Sequence, residues 1–266
     1  MNGRLAGRSS IFASRAALAP LAVLTGLAVV SWLLTIRQAT GMGSMVSGLG
    51  QVGAPMPNEI GPSLFMLMWL TMMGAMMLSG VAPMVLAHRM VVRSRGEGWS
   101  PTAAFVAGYL AVWTAIGVVP LLAFLGFQSL SAPAPAWVAP MAGGTLIAAG
   151  LYQFTPWKGA CLKTCRSPLN FILTHDFGRG APGAALAGAS HGAWCVGCCW
   201  ALMTVLVAVG LMNLVWMAAL SVVFVLEKNW RFGVELTRVA GSVVIVLGVA
   251  VIAVPGILSL LSNFHS

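Results

Sequence analysis

Charge is what this sequence has least of. Only 7% of its 266 residues are Asp, Glu, Lys or Arg, and five in all are acidic. A water-soluble domain carries about 25% charged residues, so this chain has too few to clothe itself in a solvated surface. Serine-nucleophile motifs, phosphate loops, paired catalytic carboxylates and dinucleotide fingerprints are also missing, which removes support for hydrolytic or nucleotide chemistry. There is no internal repeat and no low-complexity tail. Cysteine is scarce as well: five in total, three of them inside His191–Met203, HGAWCVGCCWALM.

What the chain does have is apolar length. Hydrophobic residues make up 59% of it and the mean hydropathy is strongly positive. A helix crosses a ~30 Å hydrocarbon layer in about 20 residues. Apolar stretches on that scale are Ala17–Ile36, Ser63–Ala87, Thr102–Leu125, Trp137–Phe154, Gly183–Val209, Met212–Leu226 and Val239–Leu261. The expectation is an all-α, polytopic integral membrane bundle of about seven transmembrane helices. It has a basic tail over 1–16, one integral membrane domain over 17–266 and a Cys-containing loop at about 155–182.

The basic residues orient this bundle, because short loops rich in Lys and Arg stay cytoplasmic. Arg4, Arg8 and Arg15 precede the first segment; Arg89, Arg93 and Arg95 follow the second. Lys158, Lys163, Arg166 and Arg179 follow the fourth, and Lys228, Arg231 and Arg238 follow the sixth. Arg37 alone lies opposite. The pattern predicts a cytoplasmic N-terminus and a multi-pass membrane protein. It also accounts for the net charge of +9 without nucleic acid as a partner. Ala17–Ile36 exceeds the 7–15-residue core of a secretory signal and is expected to stay as the first helix.

At about 100° per residue, His191, Cys195, Cys198 and Cys199 share one helix face. They lie near the middle of their span, where a polar side chain is costly unless it faces the bundle interior and finds a partner. One buried cysteine is ordinary packing; three within five residues, one turn after a histidine, point to a metal. Thiolates and imidazole select soft or borderline ions, Cu(I) or Zn(II). Met203 extends the same stripe. In the second segment Met66, Met73, Met77 and Met84 return to nearly one angle, and thioethers favour Cu(I) over Zn(II). A single helix cannot surround an ion, so neighbours must contribute.

The stretch Tyr152–Pro168 supplies two more thiols, Cys161 and Cys165. On a short interfacial helix they point the same way, with Lys158, Lys163 and Arg166 expected to lower their pKa. If the loop folds back under the fifth segment, these thiols meet the buried cluster. Glu227, at the end of the sixth segment, is the carboxylate nearest these elements, where it neutralises Lys228, orients a ligand or sits in the interface. His88 and His175 read as interfacial residues. Trp69 and Trp200 are candidates to cap a sulfur site.

The phrases MWLTMMGAMM (Met68–Met77), YQFTPWKGACLKTCRSP (Tyr152–Pro168), SHGAWCVGCCWALM (Ser190–Met203) and GLMNLVWMAALSVVFVLEK (Gly210–Lys228) together resemble domain of unknown function 2182. That family is described as predicted metal-binding integral membrane proteins. The resemblance implies a polytopic bacterial membrane protein with a metal site, but no substrate or mechanism.

Two functions follow as expectations. In the first, the chain binds a soft metal within the membrane for transport, storage or delivery, with a metallochaperone or client metalloprotein as partner. Cu(I) is the leading ion, and Zn(II) and Ni(II) are the alternatives. In the second, the thiols form a transmembrane thiol–disulfide electron relay, for which Cys195-Val-Gly-Cys198 is formally a CxxC. The second leaves the methionines without a role and has no cysteine in an outer loop.

Overall fold

The computed structural model describes residues 3–41, 61–128, 137–174, 178, 180–211 and 213–262. Outside these lie His175, Arg179, Met212 and residues 42–60. The described residues form helices and no strands. In chain order they are α1 (Gly3–Gly41), α2 (Pro62–Ser94), α3 (Ser100–Ile116), α4 (Val118–Gln128), α5 (Val138–Tyr152), α6 (Pro156–Arg166), α7 (Pro168–Thr174), α8 (Gly180–Val209), α9 (Leu214–Asn229), α10 (Gly233–Ala253) and α11 (Gly256–Ser262).

Five stretches are long and apolar enough to cross a membrane: Leu18–Thr40, Pro62–Ser94, Ser100–Ala123, Gly180–Val209 and Gly233–Ala253. The remaining two apolar segments fold as α5 and α9, of 15 and 16 residues. At 1.5 Å per residue each covers less than the ~30 Å hydrocarbon layer. Prolines subdivide two of the expected spans. Pro120 has no N–H to offer the Ile116 carbonyl, and α3 gives way to α4 across Gly117. Pro255 likewise separates α10 from α11.

α2 and α8 carry most of the buried core, while α1 and α10 display rows of exposed Leu and Val, such as Val243 and Val246, as a lipid-facing surface would. α8 lies along α3 at very close range. A Cβ on Gly188 would collide with the Phe105 carbonyl, and one on Gly192 would stand 3.2 Å from the Tyr109 carbonyl oxygen. Small residues at such a crossing let the backbones approach. This approach sets Tyr109 beside the cysteine face of α8.

Candidate metal centre

α8 holds Cys195, Cys198 and Cys199 on its interior face, all fully buried. The neighbouring thiols come from α6. Thr155 caps that helix, its hydroxyl accepting from the Lys158 N–H at 3.3 Å, and Pro156 opens the first turn. α6 then folds back onto α8, as its cysteines foreshadowed. Contact is close because position 197 is glycine: a Cβ there would stand 2.6 Å from the Cys161 Sγ.

One turn further along α6, the Cys165 Sγ lies 3.7 Å from the Cys198 Sγ. With Cys195 they make a group of three sulfurs, all within 4.8 Å of one another. The Cys199 Sγ is 3.4 Å from the Cys198 Sγ and extends the cluster. All five thiols are free.

Buried charge surrounds the sulfurs. Lys228 donates to the Cys195 Sγ at 3.1 Å, and the Tyr109 hydroxyl lies 3.1 Å from the same atom. Lys158 pairs with Glu227 at 2.9 Å, both 1% exposed, and donates a second bond to the Cys198 carbonyl. Arg166 donates to the Glu227 carbonyl. Buried ions are tolerated when paired and hydrogen-bonded. Here two buried ammoniums face one carboxylate. Glu227 is engaged by Lys158, so Lys228 is the compensating charge for whatever negative charge the sulfurs carry.

Outside the spans, the α6 side chains depart from their ordinary acidities. Burial disfavours the Lys158 ammonium, but Glu227 and the nearby Cys199 and Cys198 thiols outweigh it, and its pKa lies above the usual value. Cys161 is pushed up by burial, against a smaller opposing pull from Lys158. Cys165 is held well above an ordinary thiol, first by its hydrogen bond with Cys195. The expectation that basic neighbours lower both thiols is therefore corrected: dry packing and sulfur–sulfur contacts dominate.

The other expected site residues take distinct places. A Cβ on Gly80 would lie 3.3 Å from the Lys228 Nζ, so that face of α2 looks toward the centre. Helical register puts Met66, Met73, Met77 and Met84 on the same side of α2. Met73 and Met77 are fully buried and Met66 partly so. Met203 is buried one turn beyond Cys199.

His191 is not brought into the three-sulfur group. Its imidazole lies among rings, with centroids 5.4 Å from Phe171, 6.0 Å from Tyr109 and 6.4 Å from Phe105, and its Nδ1 has no partner. Glu227 is held by Lys158, and its Oε1 is likewise unpartnered. Trp69 is turned to α3, where its indole donates to the Trp113 carbonyl at 2.8 Å. Trp200 packs on Tyr152.

A family model described as "PpoB2: Copper chaperone" matches residues 66–251, from the methionine stripe of α2 into α10. The chain belongs to this copper chaperone family. The match spans every residue of the centre. No similar curated protein and no similar solved structure was found.

Tyr109 at this centre escapes the sequence reading altogether. The sequence sets Lys158 beside the α6 thiols and Lys228 beside Glu227, both also as topology charges, yet both are buried and Lys228 meets the Cys195 sulfur instead. Lys158 did carry a signal, since Lys158, Cys161 and Cys165 are spaced i, i+3 and i+7 and share a face. Tyr109, alone in an apolar helix, carried none.

Proposed function

We propose that this protein binds Cu(I) at a sulfur centre formed by Cys165, Cys195 and Cys198 and holds it for delivery to a client metalloprotein. It does so as a multi-pass protein of the bacterial inner membrane with a cytoplasmic N-terminus. The observation that carries this reading is the convergence of three thiols from two separate helices, with the Lys228 ammonium 3.1 Å from one of them. Around a metal with ~2.3 Å bonds to sulfur, three ligands in a plane stand ~4 Å apart. The 3.7 Å separation of Cys165 and Cys198 is close to that spacing without rebuilding either helix.

Donor chemistry favours Cu(I) over Zn(II). A structural zinc site closes with about four ligands of N, S or O type. Here the group is three sulfurs, with Cys199, Met73, Met77 and Met203 as further soft donors on adjoining surfaces. Three thiolates on a monovalent ion carry two negative charges, of which Lys228 offsets one; the Lys158–Glu227 pair is already neutral. Cys161 packs α6 against α8, and Glu227 secures α6 through Lys158, so both support the centre from outside the sulfur group.

Membership of a copper chaperone family supports the same ion. Binding for hand-over fits the residues better than pumping, because the spans carry no chain of acidic side chains to couple ion movement to protons.

The test is metal analysis of the purified protein after exposure to Cu(I) under reducing conditions, beside a Cys165→Ser/Cys195→Ser/Cys198→Ser variant. About one copper per chain, lost in the variant, is expected for a single three-sulfur site. Equal copper in both proteins would reject the centre.

The approach of Cys165 to Cys198 also gives a foothold to a thiol–disulfide relay. That reading requires the pair to lose two electrons and two protons to an acceptor, and mass analysis under oxidising conditions would find the bond between those two residues.

A further inference from the structure

A second cluster of unsatisfied groups lies on the arginine-rich side of the bundle, away from the sulfur centre. A cavity of about 280 Å³ opens there, bordered by α2, α3, α7 and α8. Its walls include His88, Arg95, Glu97, Phe171 and Ala187. His88 is 7% exposed and its Nδ1 has no hydrogen-bond partner; the Glu97 Oε1 is equally without one. The other Glu97 oxygen accepts from the Gly180 N–H at 3.1 Å, which fixes the carboxylate at the cavity. A buried ring nitrogen that nothing in the fold satisfies is a donor held ready for a ligand.

From this cavity a continuous line of side chains leads to the centre. His88 stacks on Phe105 at 4.6 Å, and Phe105 is shared with His191. Phe171, which also walls the cavity, touches the His191 ring edge-on at 5.4 Å. His191 stacks with Tyr109, whose hydroxyl meets the Cys195 sulfur, and His191 lies one helical turn before that cysteine. Both histidines thus combine burial, an unpartnered Nδ1 and a place on the line from cavity to sulfur. Imidazole is a ligand for copper, weaker in soft-ion preference than thiolate. An ion passing from imidazole to thiolate therefore moves toward its better ligands.

We propose that the His88 cavity is a transit site for Cu(I), and that His88 followed by His191 conducts the ion between the arginine-rich face and the Cys165/Cys195/Cys198 centre. The proposal rests on that centre binding Cu(I). It assigns His191 to the path and leaves the three sulfurs as the resting site. Phe105, Phe171 and Tyr109 keep water from the path and hold the two imidazoles in place.

The experiment is the rate at which metal-free, detergent-purified protein removes Cu(I) from a coloured Cu(I)–chelator complex. It compares wild type with His88→Gln and with Ala187→Leu, whose larger side chain fills the cavity wall one turn before His191. Copper per chain at equilibrium is read on the same samples. Both variants are expected to reach the wild-type copper content while loading about tenfold more slowly or worse, the effect of ~1.4 kcal/mol on a barrier. Loading within about twofold of wild type in both variants would overturn the transit site. So would a drop in final copper content in His88→Gln with an unchanged rate, which would make His88 part of the resting site. Wild-type protein that takes up no Cu(I) would instead bring down the centre itself, and the transit site with it.

Discussion

Replacing Lys228 by leucine isolates the electrostatic part of the centre. The leucine keeps an aliphatic side chain over Gly80, adds no sulfur donor, and removes the ammonium that lies 3.1 Å from the Cys195 sulfur. A hydrogen bond to a charged group contributes about 1.5–3 kcal/mol, and leaving one charged partner buried without the other removes all of it. At 1.4 kcal/mol per decade, the Cu(I) affinity of Lys228→Leu should fall about 10- to 100-fold. Competition against a coloured Cu(I) chelator at fixed pH measures the change. Because the pair is buried, the difference should persist when ionic strength is raised. In a Cys195→Ser background the same lysine change should add little, since its partner is gone. An affinity for Lys228→Leu within about twofold of wild type would refute the assignment of Lys228 as the compensating charge.

Further outcomes follow from the same geometry. Cys165→Ser should abolish most copper binding, whereas Cys161→Ser, altering a sulfur that packs on Gly197 outside the three-sulfur group, should leave copper per chain unchanged; metal analysis separates the two. Apparent Cu(I) affinity should rise with pH: Cys165 is held well above the ordinary thiol value of 9.0, so at neutral pH its proton must leave when metal binds. A plot of log affinity against pH should therefore climb by ~1 per proton released and still be climbing at pH 9; a flat profile from pH 6 to 9 would contradict thiol ligation. Gly188→Ala forces a Cβ into the Phe105 carbonyl and should destabilise the protein by about 1–3 kcal/mol in thermal unfolding. Gly144→Ala, where a Cβ meets nothing within 4 Å, is the control and should be nearly neutral.

The periodic features of this sequence carried furthest. Apolar length located the five membrane-length stretches and the shorter α5 and α9, though not α7, and a 3.6-residue repeat put Cys195, Cys198 and Cys199 on one interior face. The return of Cys165 to that face was legible because two cysteines four apart, beside a buried-looking cluster, have few other uses. What periodicity lacks is distance. His191 shares the angular stripe of the cysteines, yet one turn along the helix is enough to seat it among Phe105, Tyr109 and Phe171 instead.

Charge was the harder feature to read, because one signal carried two meanings. Lysines that mark a loop as cytoplasmic are normally solvated, and only its place on the Cys161/Cys165 face distinguishes Lys158 from Lys163. Only the fold of α6 onto α8 turns Lys158 inward to Glu227, which leaves Lys228 for Cys195. Pro120 and Pro255 mattered in the same way: visible in the sequence, they subdivide spans that hydropathy alone joins.

Cys165 and Cys198 are 33 positions apart in the chain and on different helices. The full donor set therefore exists only once α6 has docked. An ion held by all three sulfurs binds the docked form alone, and at 100 times its dissociation constant such a ligand contributes about 2.7 kcal/mol to keeping that form closed. If copper fills this centre, its supply should therefore also set how firmly α6 is held: cleavage within Pro156–Arg166 by an added protease is expected to be slower in the copper-loaded protein than in the metal-free one.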